Sequence, residues 1–262
     1  MPPAVSPRSL SELRHIDPAW RIWDLDAEMR YQPVLDALAN VDGVVCEVGS
    51  GAAGIARWTS RSVIGVDPGP DERHGGVRAP ANLERVMGSG EAIPLPDESV
   101  AACVATDTIE HIPRELRERV VAEMVRVTRS GGRVILIGPT GAHAAAADRR
   151  LLDLLHRRGV YGGWTTWLEE HLSFGVPSIE ELEGHLRRQS RVGSLSVHGA
   201  LNLRLWWLMH RGAMGLLPRV RPLNRIPHPT PVHPWLWAPV AVLARRYRRP
   251  PHYRYMFVAE IV

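Results

Sequence analysis

Val44-Val45-Cys46-Glu47-Val48-Gly49-Ser50-Gly51-Ala52-Ala53-Gly54 is the stretch on which the fold turns. A short, mostly apolar run that ends in glycines reads as a strand entering a tight turn. Glycine allows the sharp turn, and it lets a ligand approach the backbone where a Cβ would intrude. The spacing Gly49-x-Gly51-x-x-Gly54 is also the dinucleotide fingerprint, so a nicotinamide or flavin enzyme has to be weighed. Taken alone, the turn is ambiguous.

On either side of this stretch, helical and strand patterns alternate, which is the mark of a parallel sheet with helices on its faces. Helical spacing runs from Leu25 through Ala39, with Met29, Val34, Leu35 and Leu38 on one side. Val44–Val48 reads as strand one and Ala52–Thr59 as its helix. Val63–Val66, Leu83–Met87 and Val100–Ala105 read as strands two to four. Pro113–Val127 is a helix with proline in its first turn, and Gly131-Gly132 break into strand five, Arg133–Ile137. Ala142–His156 reads as helix, and Tyr161–Gly175 as an aromatic connector. Ser178–Arg188 reads as a helix capped by serine, with Glu180 and Glu181 suiting its dipole. Val192–His198 is a strand, Leu201–Leu217 a helix and Pro218–Pro234 a proline-rich loop. Trp235–Tyr247 is a short helix, and Tyr253–Val262 a last strand. The division expected is a lead and helix over 1–40 and a cofactor-binding core over 41–139. An acceptor-side connector, a cap and the last two strands then occupy 140–262 of the same domain.

Two acidic residues narrow the ligand. Glu47 stands two places before the first glycine, at a strand tip. There it can receive the ammonium of an amino-acid head group such as that of S-adenosylmethionine, directly or through water, whereas a pyrophosphate would be repelled. Asp67 closes strand two, 20 residues further on. A carboxylate there can accept from both ribose hydroxyls, each charge-assisted bond contributing roughly 1.5–3 kcal/mol. A nicotinamide cofactor would use that carboxylate equally well.

Further along lie Gly88-Ser89-Gly90-Glu91-Ala92-Ile93-Pro94-Leu95-Pro96-Asp97-Glu98-Ser99-Val100 and Thr106-Asp107-Thr108-Ile109-Glu110-His111-Ile112. Glu123-Met124-x-Arg126-Val127-x-x-x-Gly131-Gly132 follows. With these motifs in order, the chain from about Val44 to Pro139 resembles the class I, S-adenosylmethionine-dependent methyltransferase superfamily typified by the type 11 methyltransferase domain. The resemblance implies an α/β, Rossmann-like seven-stranded sheet in the order 3-2-1-4-5-7-6, with strand seven antiparallel and helices on both faces. A helical, proline-rich elaboration then falls between the last two strands. It also implies S-adenosyl-L-methionine as cofactor and S-adenosyl-L-homocysteine as product. By the same resemblance Glu47, Gly49, Ser50 and Gly51 hold the methionine portion, and Asp67 with Pro68 the ribose. Ser89, Gly90 and Glu91 border the adenine, and Thr106 and Asp107 line the methyl side. Relatives commonly place Asp where this chain has Ser89, which weakens one expected bond to the adenine amino group.

Methyl transfer by in-line displacement needs alignment above all, and an oxygen acceptor gains from a general base. His111, just after strand four, is the first candidate base, His171 the second, and His143 a weaker third; a cap or packing role is the alternative for each. His228 and His233 flank the proline-rich loop without ligand spacing, so no metal site is expected.

All 32 basic residues are Arg, and the formal charge is +4, which permits an anionic partner without requiring one. Cys46 and Cys103 both sit in strands, as in a reduced protein without a disulfide framework. No signal segment and no run of membrane-spanning length is read, so the expected location is cytoplasmic. Residues 201–250 carry Trp206, Trp207, Trp235, Trp237 and the run Arg245-Arg246-Tyr247-Arg248-Arg249. They read either as a surface peripheral to the inner face of a membrane, suiting a lipid-linked acceptor, or as a soluble cap with tryptophan in a small core. Nucleic acid is disfavoured as acceptor, because strand four lacks the Asn/Asp-Pro-Pro-aromatic signature. The acceptor is expected to be a small molecule, a glycan or a lipid-linked compound, and the chemistry O-methylation. Two rivals stand beside this reading: a degenerate fold acting as a binding or partner protein, and a nicotinamide-dependent oxidoreductase. Lys is absent, which excludes the commonest short-chain reductase arrangement.

Overall fold

A computed structural model describes residues 23–69, 79–162, 164–215, 231–232 and 249–262. Seven strands form one sheet: β1 Val45–Val48, β2 Val63–Asp67, β3 Leu83–Met87, β4 Val100–Thr106, β5 Thr128–Pro139, β6 Val192–Asn202 and β7 His252–Ile261. Their order is β3-β2-β1-β4-β5-β7-β6. The first five pair in parallel, and β7 runs antiparallel to both β5 and β6. A two-residue bridge also joins Trp23–Asp24 to Pro231–Val232.

Every residue of β1 and β4 is buried, as expected of central parallel strands covered on both faces. Alternation along β1 divides the two layers. Cys46 and Val48 pack with Val120, Val121 and Met124 of α2 (Arg114–Val127) and with Leu182 and Leu186 of α5 (Ile179–Arg187). Val45 packs on the opposite face with Val34 and Leu35 of α1 (Leu25–Ala37), with Leu38 just past its end, and with Ile55 and Trp58. A third cluster gathers α3 (Ala142–His156), α4 (Trp164–Phe174) and α6 (Leu203–Gly215) around Leu151, Leu168, Trp206 and Tyr253.

Several boundaries differ from expectation, each for a local reason. The segment after the glycine turn forms only a five-residue 3-10 helix, Gly54–Trp58, because the chain is still left-handed at Gly54. Residues 161–175 are not a connector. They contain α4, whose Thr165, Leu168 and His171 recur at helical spacing and are buried. Gly131-Gly132 do not break β5; the register against β4 slips there, from Val100↔Thr128 to Ala102↔Arg133. That is a bulge. α6 starts at Leu203 because Leu201 and Asn202 still pair with β7, and the Asn202 Oδ1 accepts from Arg204 N (2.7 Å) and Leu205 N (3.3 Å) as a cap. The Ser178 cap is present, its Oγ accepting from Glu181 N at 3.1 Å. The expected helix over 235–247 and nearly all of the loop over 218–234 lie outside the described residues. Among the described residues no helix is long and apolar enough to cross a membrane.

Trp206 is 2% exposed and stacks on Tyr253, ring centroids 4.1 Å apart, so it fills a core as the cap reading expects. Trp235, Trp237 and Arg245–Arg248 lie outside the described residues.

Arg117 locks the helical layer. Its side chain is 1% exposed and donates to Ile112 O (3.0 Å), Phe174 O (3.1 Å), Gly175 O and Glu181 Oε1 (3.1 Å). Arg117→Ala leaves Glu181 and three carbonyls without that donor. We expect a loss of about 3–5 kcal/mol, read as a fall in urea-unfolding free energy. A loss below about 1 kcal/mol would show that the layer does not depend on this anchor.

Candidate active site

The glycine turn sits where β1 ends, and its conformation requires glycine. Gly49, Gly51 and Gly54 have φ of +74°, +50° and +49°, in the left-handed region. Space is also short. A Cβ on Gly49 would stand 2.5 Å from Thr108 Cγ2, and one on Gly54 would overlap the Glu47 carboxylate. The Thr108 hydroxyl lies 3.1 Å from Val48 O and 3.2 Å from Thr106 O, tying the segment after β4 to the end of β1.

Two carboxylates hold the turn from opposite sides. Asp67, at the tip of β2, accepts from Gly51 N at 2.9 Å and from Gly69 N at 3.3 Å. Glu47 points to the α1 face of β1 and accepts from Ile55 N at 2.6 Å through Oε2. Its other oxygen has no hydrogen-bond partner, although the Tyr31 and Thr106 hydroxyls and the Arg30 charge are near enough to favour ionisation. Burial outweighs these and pushes the Glu47 carboxyl up to about 7. Glu47 has no exposed surface, so it braces the turn from beneath; direct receipt of a ligand's ammonium is not the contact it is placed to make.

The remaining expected residues collect around this turn. Ser50 is buried with its Oγ packed toward Gly65 of β2, rather than outward. Pro68 is exposed at the tip of β2, and Gly88 N donates to Asp67 O at 3.1 Å, which brings the loop after β3 alongside. Ser89 is exposed, its carbonyl accepting from Ala92 N at 3.1 Å and its Oγ facing Glu91 N at 3.5 Å. Gly90 packs on Val48, where a Cβ would stand 2.8 Å from Cγ1. Arg126 of α2 pins the continuation of this loop. It donates to Ile93 O (2.9 Å), Leu95 O (2.9 Å), Asp97 (2.6 Å) and Glu123 (2.7 Å), and Glu123 accepts from Ile93 N at 2.9 Å.

At the tip of β4, Thr106 is buried and Asp107 adopts φ +46°, uncommon outside glycine. Its N donates to Ile137 O at 2.8 Å. The Asp107 side chain is clamped by Arg254 of β7, with Nη2 to Oδ2 at 2.6 Å and Nε to Oδ1 at 2.9 Å, and by Arg30 of α1 at 3.3 Å. Only its backbone thus remains for the methyl-side role expected of it. Neither Arg30 nor Arg254 was singled out from the sequence, although an arginine inside an otherwise buried strand is a signal of a paired charge.

Beyond Asp107 the two candidate bases come together. His111 Nε2 and His171 Nε2 are 3.2 Å apart. His111 Nδ1 stands 2.8 Å from Glu170 Oε2, and His171 Nδ1 stands 2.9 Å from Asp148 Oδ2. Asp148 also accepts from the Tyr253 hydroxyl at 2.6 Å. Burial, reinforced by the His171 charge, lowers the His111 pKa against the pull of Glu170. Burial alone would lower His171 too, but the Asp148 bond and the Glu110 charge outweigh it and raise its pKa. Glu110, 1% exposed, is pushed up to about 8 by burial and by the neighbouring Asp107. The sequence offers His111 and His171 as first and second candidate bases and does not point to Glu110 or Glu170, each next to one of them, or to Asp148 and Tyr253 on other elements. His143 is exposed on α3 and takes no part.

A seven-stranded sheet of this order, with a glycine turn held between acids at the tips of β1 and β2, is the Rossmann-like methyltransferase fold. Residues 46–136 match the family model described as methyltransferase domain. A methyltransferase of Mycobacterium sp. (strain JLS) is 39% identical over 132 residues, covering 43% of this chain and 51% of the relative. One from Mycobacterium bovis (strain BCG / Pasteur 1173P2) is 32% identical over 169 residues, covering 61% and 57%. The chain thus spans between half and three-fifths of the length of these curated relatives. Among solved structures, the Haemonchus contortus phosphoethanolamine N-methyltransferase 2 in complex with S-adenosyl-L-methionine aligns with a TM-score of 0.54 at 13% identity, covering 88% of this chain and 52% of that one. That likeness is one of fold. The family match decides the ambiguity that the glycine spacing leaves.

Glu47 supplies a pH test. Its folded carboxyl titrates above the unfolded one, so its favourable share of stability is present below about pH 4.5 and lost as pH rises through about 7. Glu47→Gln keeps an acceptor for Ile55 N and has no charge to bury. Between pH 5 and pH 8 its urea midpoint should gain on that of the wild type. A gap that stays constant across this range would mean that Glu47 is not held in a protonated form.

Proposed function

We propose that this chain transfers the methyl group of S-adenosyl-L-methionine to a small-molecule, glycan or lipid-linked acceptor, most simply to an oxygen. The observation that carries the reading is the shared grip of Glu47 and Asp67 on one glycine turn, at the carboxyl ends of the strands. The residues present fit the cofactor. Gly49 and Gly51 take the left-handed φ that this tight turn at the strand end needs, and the Asp67 carboxylate keeps acceptor capacity beyond Gly51 N and Gly69 N.

When bound, the cofactor would supply a methyl group activated on a sulfonium, passing to the acceptor atom as the thioether of S-adenosylhomocysteine leaves. The chain supplies position. Gly49, Ser50 and Gly51 present the turn to the methionine portion, and Glu47 acts through the turn by fixing Ile55 N. Asp67 and Pro68 meet the ribose, and Ser89, Gly90 and Glu91 border the adenine. The backbone of Thr106 and Asp107 lines the methyl side. The His111–His171 pair, oriented by Glu170 and Asp148, activates the acceptor. Burial of Trp206 supports the cap reading of α6 over insertion into a membrane surface.

Calorimetry with S-adenosylhomocysteine against NADH tests the cofactor. The first should bind and the second should not. Asp67→Ala should weaken binding about 10- to 150-fold, the equivalent of roughly 1.5–3 kcal/mol. Binding of neither ligand would favour a degenerate partner fold, and preference for NADH would overturn the reading. Methyl-labelled cofactor incubated with small-molecule, glycan and lipid fractions then identifies the acceptor class. With that acceptor, His111→Gln and His171→Gln should each lose more than about tenfold in turnover while S-adenosylhomocysteine affinity holds.

A further inference from the structure

Three acceptor atoms converge between the 3-10 turn after β4 (Ile109–His111) and α4. His111 Nε2 and His171 Nε2 are 3.2 Å apart, and Glu110 Oε1, buried and without a hydrogen-bond partner, lies 3.9 Å from His171 Nε2. The other nitrogen of each ring faces a carboxylate, Glu170 for His111 and Asp148 for His171. An ionised carboxylate only accepts, so each Nδ1 carries the hydrogen. A neutral imidazole has one N–H. When both rings are neutral, the two Nε2 lone pairs therefore face each other, with the Glu110 oxygen beside them. One proton can bridge two of these atoms; a metal ion can serve all three.

We propose that Glu110, His111 and His171 bind a divalent transition-metal ion of the zinc class, with Glu170 and Asp148 holding the imidazoles in place. Two imidazole nitrogens about 2.0–2.1 Å from a tetrahedral zinc stand roughly 3.3–3.4 Å apart, close to the separation found here. All three ligand atoms lie within 4.8 Å of one another, so the Glu110 carboxylate has to close by about 0.5 Å toward His171 and by no more than about 1.4 Å toward His111. A carboxylate behind each ligating histidine fixes tautomer and ring orientation in metal sites generally. Two imidazoles favour zinc and its neighbours over magnesium or calcium, which take oxygen. The His111 and Glu170 side chains are 27% and 34% exposed, which leaves an approach from solvent. Three protein ligands leave one position for water or for an acceptor heteroatom. An ion held by both Nε2 atoms uses the lone pairs that a general base needs, so in the metal-loaded site the ion replaces the free histidine pair in activating the acceptor. Only that use rests on the methyl-transfer reading; the site itself does not. Spacing rules overlook it because the ligands come from two elements 60 residues apart.

The test is metal binding by the full chain, stripped with chelator and then titrated with Zn²⁺ against a chromophoric competitor. Co²⁺ replaces Zn²⁺ in a second arm and is followed by its visible absorption. Wild type should take up one tight equivalent, and Co²⁺ should show the intense bands of a tetrahedral N/O site. His171→Ala and Glu110→Gln should abolish both signals, and Glu170→Gln should lower affinity about 10- to 100-fold. His198→Ala, on the exposed edge of β6, should change neither signal. Should the buried variants fail to fold by circular dichroism, His111→Gln and Glu170→Gln at the partly exposed positions give the same readout. No tight equivalent in the wild type, or one that survives His111→Gln and Glu170→Gln unchanged, overturns the proposal. S-adenosylhomocysteine calorimetry on the same samples separates the two readings. Metal without nucleoside binding removes the methyl-transfer reading alone, and nucleoside without metal removes this one alone.

Discussion

A backbone turn that leaves its N–H groups pointing at carboxylates is the constraint on which the rest of this fold depends. Gly51 N is bound by Asp67 and Ile55 N by Glu47, from the tips of two adjacent strands. Such charge-assisted bonds are stronger than ordinary backbone pairs, and one of them is fully buried. They require the chain to pass through left-handed φ three times within six residues, which only glycine does without strain. Once the turn is fixed, its neighbours have little freedom. The loop after β3 must pack Gly90 on Val48, and the segment after β4 must bring Thr108 under Gly49.

An acid-rich crevice has an electrostatic difficulty, because like charges gathered in a buried region oppose one another. Glu47, Asp67, Asp107 and Glu110 all stand at strand tips or just beyond them. Three solutions occur side by side. Asp67 is satisfied by backbone donors, and Asp107 is neutralised by Arg254 and Arg30. Glu47 and Glu110 are shifted toward the protonated form by burial. A negative side chain at Asp107 is in turn what raises Glu110 further, so the clamp on one acid and the protonation of the other are connected.

Elements whose cues are local were legible in the sequence. β1 and β2 are short apolar runs that end at Gly49 and at Asp67-Pro68, β3 ends at Gly88 and β4 is a continuous small-apolar run, and their bounds fall within a residue or two of expectation. The Ser178 cap and the limits of α3 were readable for the same reason. Misreadings arose where tertiary context decides. Aromatic and glycine content around Tyr161–Gly175 suggested a connector, whereas the buried stripe Thr165, Leu168, His171 makes it α4. Gly131-Gly132 looked like a stop and is a bulge inside β5. At the site, Glu47 and Asp67 stood out as acids beside a glycine turn, a local cue, although Glu47 turns out to accept from Ile55 N and has no exposed surface. Asp148, Glu170, Tyr253 and Arg254 were not, since their partners lie 23, 59, 105 and 147 positions away.

β7 joins the two halves of the site, and it does so through consecutive residues. Neighbouring side chains on a strand point to opposite faces, so Tyr253 and Arg254 cannot serve the same partner. Tyr253 donates to Asp148, which orients His171 and through it His111. Arg254 clamps Asp107 at the tip of β4. The segment Thr106–His111 therefore receives one constraint from each face of a single strand. β7 is held between β5 and β6 by antiparallel ladders on both edges, Tyr255 pairing with Gly138 on one side and Gly199 on the other. A slip of one residue would exchange the faces, pointing arginine into the Trp206 core and tyrosine at Asp107. Correct register of this last strand is thus a condition for both the nucleoside crevice and the histidine pair, although it supplies no residue of the glycine turn.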